Sequence, residues 1–219
     1  MPGFFIATFA ATTTIYMRYL FLIITTALFA CNNHQHQTGA ATEHTQHQPA
    51  GTNRSGYADS VNTGLIATDT MKSSPRRVAM ANIGKCHVHI NYGSPGVKGR
   101  SIWGGLVAYN QVWAAGAHKA TAIEFSTDIQ LGDKKIAAGK YGLFMLPGEK
   151  EWTVIVNTQY DQHLADDYDP AKDVARFTTN PEIANKIVER LTYTVEGGDK
   201  KGVLVFEWEK VKITVPLSL

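Results

Sequence analysis

The 219-residue sequence predicts an all-β domain, an antiparallel β-sandwich or jelly-roll-like fold with at most one or two short helices. Three observations point there. Beyond Ser74 several segments alternate apolar and polar residues with period two, the pattern of a strand that buries one face. Gly, Pro, Asn and Asp punctuate those segments at near-regular intervals. Helical periodicity is scarce, and no internal repeat is visible.

The first predicted strand is Lys85 to Tyr92, KCHVHINY. Its alternation puts Cys86, Val88, Ile90 and Tyr92 on one face and His87, His89 and Asn91 on the other. Thr121 to Ile129 follows, with Ile123 and Phe125 inward, then Tyr141 to Leu146 and Trp152 to Asn157. Leu191 to Glu196, Val203 to Glu209 and Lys210 to Val215 complete the set. Pro147-Gly148 and Gly197-Gly198-Asp199 supply turns between neighbouring strands. One short helix is expected after Asn180 as cap, with Pro181 in its first position and Ile183 and Ile187 one turn apart.

Upstream the composition changes. Met17-Arg18 precedes an almost wholly apolar run from Tyr19 to Ala30, and Cys31 follows. A basic start, an apolar stretch and a small residue before the cut describe a secretory signal over residues 1–30. The apolar run is shorter than the ~20 residues a membrane span needs. Residues 1–16 carry no basic residue, so translation is expected to begin at Met17. Leu28-Phe29-Ala30-Cys31 resembles the lipobox of bacterial lipoproteins, whose Cys thiol receives diacylglycerol. The resemblance implies a lipid-anchored protein of the cell envelope, facing the periplasm or the cell surface.

Residues 32–73 are polar and poor in large apolar side chains, which predicts a disordered tether. Within it His34, His36, His44 and His47 form either an accessory metal-binding tract or a soluble spacer. The formal net charge of +2, without basic runs interleaved by aromatics, gives no reason to expect nucleic acid. There are two cysteines, so a lipidated Cys31 leaves Cys86 with no disulfide partner.

Four blocks of residues 74–219 carry a wider resemblance. They are SPRR (74–77), NYGSPGVKGRSIWGGLVAYNQVW (91–113), AGKYGLFMLPGEKEWTVIVN (138–157) and FEWEKVKITVP (206–216). In order and spacing they resemble an exported bacterial family known only as domain of unknown function family 2911. The resemblance implies a secreted or lipid-anchored β domain and no established activity. Where the family often has Asn after Gly-Ala, this chain has His118, and it also carries the segments CHVH (86–89) and QHLADDYDP (162–170).

The histidines suggest a chemistry. His87 and His89, two apart on a strand, lie on one face roughly 6–7 Å apart at the backbone. Copper or zinc would take such imidazoles, given further N, S or O ligands. His118 and His163, in predicted loops, are candidates, with Cys86, Asp161 or Asp166 as alternates. The competing expectation is that His87 and His89 are outward polar residues. Gly93 to Arg100, GSPGVKGR, is either a structural turn or an anion-binding loop. Trp103, Trp113, Trp152 and Trp208 are candidates to stack on sugars; Trp152 and Trp208, in predicted strands, read as core, and Trp103 and Trp113, flanking Gly-rich loops, are either core or a carbohydrate platform. Asp166, Asp167, Asp169 and Asp173 lack the Gly and terminal acid of an EF-hand and read as a solvated acidic loop. No GxSxG, HExxH or P-loop occurs, and no catalytic residue is assigned. The first functional expectation is a metal-binding envelope lipoprotein. The second is a non-catalytic module for a glycan or protein, and the third a metal-dependent hydrolase.

Overall fold

A computed structural model describes residues 56–219. A short helix, α1 (Tyr57–Asn62), leads into β1 (Arg76–Ile83), β2 (Cys86–Gly93), β3 (Thr121–Phe125), β4 (Ile129–Leu131) and β5 (Lys134–Ile136). Then come β6 (Gly139–Leu146), β7 (Trp152–Asn157), β8 (Asp173–Thr179), β9 (Glu182–Glu196) and β10 (Lys201–Ser218), with a 3-10 turn at Pro170–Lys172. The strands form two antiparallel sheets, ordered β1-β2-β3-β6-β7-β8 and β5-β4-β10-β9. The expected all-β class is the one the chain adopts.

One core lies between the sheets. From the first sheet β2 contributes Cys86, Val88, Ile90 and Tyr92, all fully buried, while His87 is exposed and His89 half-buried. β7 adds Trp152, Val154 and Val156. Each fully buried aliphatic side chain is worth about 1.5–3 kcal/mol, so strict alternation fixes which face turns inward.

β10 explains why two strands were expected where one exists. Its inward residues are Leu204, Phe206 and Trp208, then Val211, Ile213, Val215 and Leu217. The parity changes at Glu209, which has φ +56° and sits at an irregularity in the pairing with β9. Such a bulge adds one residue, so inward positions move from even to odd without ending the strand.

Three expectations are corrected. Thr121–Ile129 is not one strand: it divides at Ser126–Asp128, and β3 and β4 belong to different sheets. The helix after Asn180 is instead the start of β9, where Ile183 pairs with Val211 and Val188 with Glu209. Ile183 and Ile187 are 71% and 47% exposed, so their helical spacing marks no buried face. Backbone pairing with the long β10 outweighs a short, weakly amphipathic local preference. Finally, the tether does not extend to residue 73. Residues 56–73 pack on the domain: α1 buries Ala58 and Val61, and Asn62 exchanges hydrogen bonds with the backbone of Arg190 on β9. The segment's few apolar residues suffice because polar bonds tie it down.

Candidate functional site

The structure divides the domain's histidines into two pairs. His87 and His89 lie on the outward face of β2, with ring centroids 6.3 Å apart and planes 25° from parallel. Asn82 on β1 offers its Oδ1 to His87 Nδ1 at 2.8 Å. His118 and His163 are backbone neighbours elsewhere, the Leu164 N–H donating to the His118 carbonyl at 2.8 Å. His163 Nδ1 is 2.8 Å from Asp166 Oδ2. Gly93, the last residue of β2, marks their end of the sheet: a Cβ there would stand 2.3 Å from the Ala117 carbonyl oxygen, next to His118. Six residues of extended chain, roughly 20 Å, separate Gly93 from His87.

The expected joint centre of His87, His89, His118 and His163 is therefore not assembled. Cys86 is also corrected as a partner. β2 pairs with β1 and β3 without a register shift, so parity holds the thiol in the core, behind the imidazoles. Among the described residues no three His, Cys, Asp or Glu side chains gather as a metal cage. Cys31 and the tether residues His34, His36, His44 and His47 lie outside the described residues.

Two of the four acidic-loop residues have structural work. Asp169 Oδ1 accepts from the Ala171 N–H and caps the 3-10 turn. Asp173 accepts from Tyr168 Oη, Arg176 and Asn157 Nδ2. Burial and then the bond to Asp173 push the Tyr168 phenol up to about 12.

An aromatic-walled concavity lies where sequence reading had seen only separate loops. The connection from β2 to β3, residues 94–120, tucks Trp103 between the sheets, 4.6 Å from Trp152 and 5.6 Å from Trp208. Trp113 stacks on Trp208 with centroids 5.7 Å apart and planes 20° from parallel. Beside this pair opens a cleft of about 430 Å³, within the range of small-molecule sites. Trp113, Trp208 and Leu106 give it apolar walls, and Lys72, Lys98 and Arg100 supply three cations. Among the described residues none of the three cations is paired with a carboxylate side chain. Backbone carbonyls hold two of them: Lys98 Nζ donates to Met71, and Arg100 to Val97 at 3.1 Å and to Gly96.

The loop Gly93–Arg100 thus walls a cleft as well as making a turn. Arg190 fixes its base. That fully buried guanidinium donates to Ser94 O (3.0 Å), Ser73 O (2.8 Å), Met71 O (2.7 Å) and Asp69 Oδ1 (2.7 Å). Neither Arg190 nor Asp69 stood out in the sequence, since an isolated Arg in a strand and an Asp in a polar tract carry no spacing signal. Burial alone would raise the Asp69 carboxyl, but bonds from Arg190, Tyr57 and the Met71 N–H outweigh it and hold it below the ordinary value.

Fold and cleft together define a two-sheet antiparallel β domain with a cationic, aromatic-walled cleft. Residues 74–217 match the model of a protein family of unknown function, DUF2911, and the chain belongs to that family. No curated protein and no solved structure matches the chain.

Proposed function

We propose that this protein is a non-catalytic binding module, held at the cell envelope by lipid on Cys31, whose cleft takes an anionic glycan unit. The supporting observation is the stacked Trp113–Trp208 pair lining one cleft with Lys72, Lys98 and Arg100, cations with no carboxylate partner among the described residues. A sugar ring lays its C–H face on an indole. An acidic substituent then pairs with guanidinium or ammonium in charge-assisted bonds. Arg100 has five N–H donors and spends two on carbonyls, which leaves donors for a ligand. Among the described residues the cleft is lined by cations, small residues and aromatic or aliphatic side chains, groups suited to binding.

Titration of the protein with an acidic oligosaccharide built on uronic acid, followed by indole fluorescence, is expected to give saturable binding that weakens with salt. A neutral oligosaccharide of equal length should bind at least about tenfold more weakly. Lys98→Gln/Arg100→Gln should cost about 1.5–3 kcal/mol in binding, the worth of one charged hydrogen bond. Absence of saturable binding to either sugar would remove the reading. Metabolic labelling with a fatty acid, lost in Cys31→Ser, tests the anchor separately.

A further inference from the structure

The outward face of β1–β2–β3 carries a cluster that the cleft does not use. His89 on β2 pairs in register with Met80 on β1 and with Glu124 on β3. Side chains directly opposite on one sheet face have Cβ atoms about 4.5–5.5 Å apart. His87, two residues along, shares the face and its ring lies 6.3 Å from that of His89. Met80 is 46% exposed, so its thioether is open to solvent on the same outward face as the imidazoles. Lys140, opposite Glu124 on β6, is drawn over the Tyr160 ring at 4.9 Å rather than onto the carboxylate.

We propose that this face is a site for monovalent copper, bound by the imidazoles of His87 and His89 and the thioether of Met80, with Glu124 flanking it. The ligand set decides the metal class. Met80, directly opposite His89 in the register of β1 and β2, offers a thioether on the same face as the imidazoles, and thioethers select monovalent copper over zinc. Asn82 Oδ1 accepts from His87 Nδ1, which leaves Nε2 as the ring nitrogen turned toward a ligand, the outer-shell orientation common at metal-bound histidines. Convergence needs only side-chain rotation. Two nitrogens at ~2.0 Å from one ion stand closer than the present ring spacing, and His87 and Met80 are exposed enough to turn.

The test uses the full mature chain and two probes in separate titrations, monovalent copper in competition with a coloured chelator under reducing conditions, and zinc. The tether histidines are the same in every variant, so differences read the sheet face alone. His87→Ala/His89→Ala is expected to lose one copper equivalent. Met80→Leu should weaken copper at least about tenfold, about 1.4 kcal/mol, while leaving zinc unchanged. It should also remove the sulfur signal from the copper X-ray absorption spectrum, whereas Cys86→Ser should keep it. Thermal unfolding should show each variant folded, since all but one of the replaced side chains lie outside the core. The proposal is overturned if the double histidine variant binds copper as the wild type does. It is equally overturned if Met80→Leu leaves copper affinity and the sulfur signal intact.

Discussion

Asp69→Ala is expected to destabilise the domain by about 3–5 kcal/mol, although residue 69 lies outside both sheets. The reason is its partner. Arg190 is wholly buried on β9, and among the described residues Asp69 Oδ1 at 2.7 Å is its one carboxylate contact. Removing that charge leaves a guanidinium in the interior with carbonyl oxygens alone, and a buried charge without its counter-ion costs far more than an exposed pair is worth. The loss spreads, because Asp69 also accepts from Tyr57 Oη on α1 and from the Met71 N–H. Residues 56–73 should therefore detach first, which hydrogen exchange at α1 would report alongside a lower urea midpoint. An unchanged midpoint would show that the carbonyls alone can carry Arg190.

The same pair sets an acid limit. Asp69 is held below its ordinary value, so its folded pKa lies under the unfolded one near 3.9. Its contribution is complete above about pH 4 and is lost as pH falls through the lower folded value. Wild type and Asp69→Ala should accordingly converge in stability in strong acid and differ fully at neutral pH. Parallel curves across that range would contradict the assignment.

Legibility in the sequence followed burial. Where a strand buries one face against the core, as β2 does, alternation is strict and the reading was correct to within a residue; β7, with Ile155 and Asn157 buried as well, was legible as a bounded apolar run instead. β1, β5 and β8 were not seen: β1 and β8 are edge strands with exposed side chains such as Val78, Met80 and Val174, and β5 is three residues long. Their pairing comes from neighbours distant in the chain. The candidate sites divide similarly. Adjacent positions such as His87 and His89 were legible because strand geometry alone places them together. The cleft was not, because it joins Lys72, the β2–β3 connection and Trp208 across both sheets. Met80 and Glu124 became neighbours of His89 only through register, which no local spacing encodes.

Trp208→Ala is the second large effect, about 3–5 kcal/mol, the usual cost of emptying a buried aromatic site. Trp208 is 1% exposed and meets Trp103 at 5.6 Å and Trp113 at 5.7 Å, while Trp103 in turn meets Trp152 on the opposite sheet. Its deletion removes a joint of an aromatic stack that spans both sheets and holds the β2–β3 connection in place. Trp208→Phe separates packing from polarity. The Trp208 indole N–H is buried without a partner among the described residues, so losing it recovers part of what the smaller ring forfeits. Phe is therefore expected to cost less than half as much as Ala in urea unfolding followed by circular dichroism. Equal costs for Phe and Ala would mean that the N–H has a partner after all. Trp113, half-buried on the cleft side of the same stack, should behave in the opposite way: Trp113→Ala should cost less stability than Trp208→Ala but more glycan affinity. That reversal follows from position, since Trp208 faces both core and cleft whereas Trp113 is the half-exposed face of the stack.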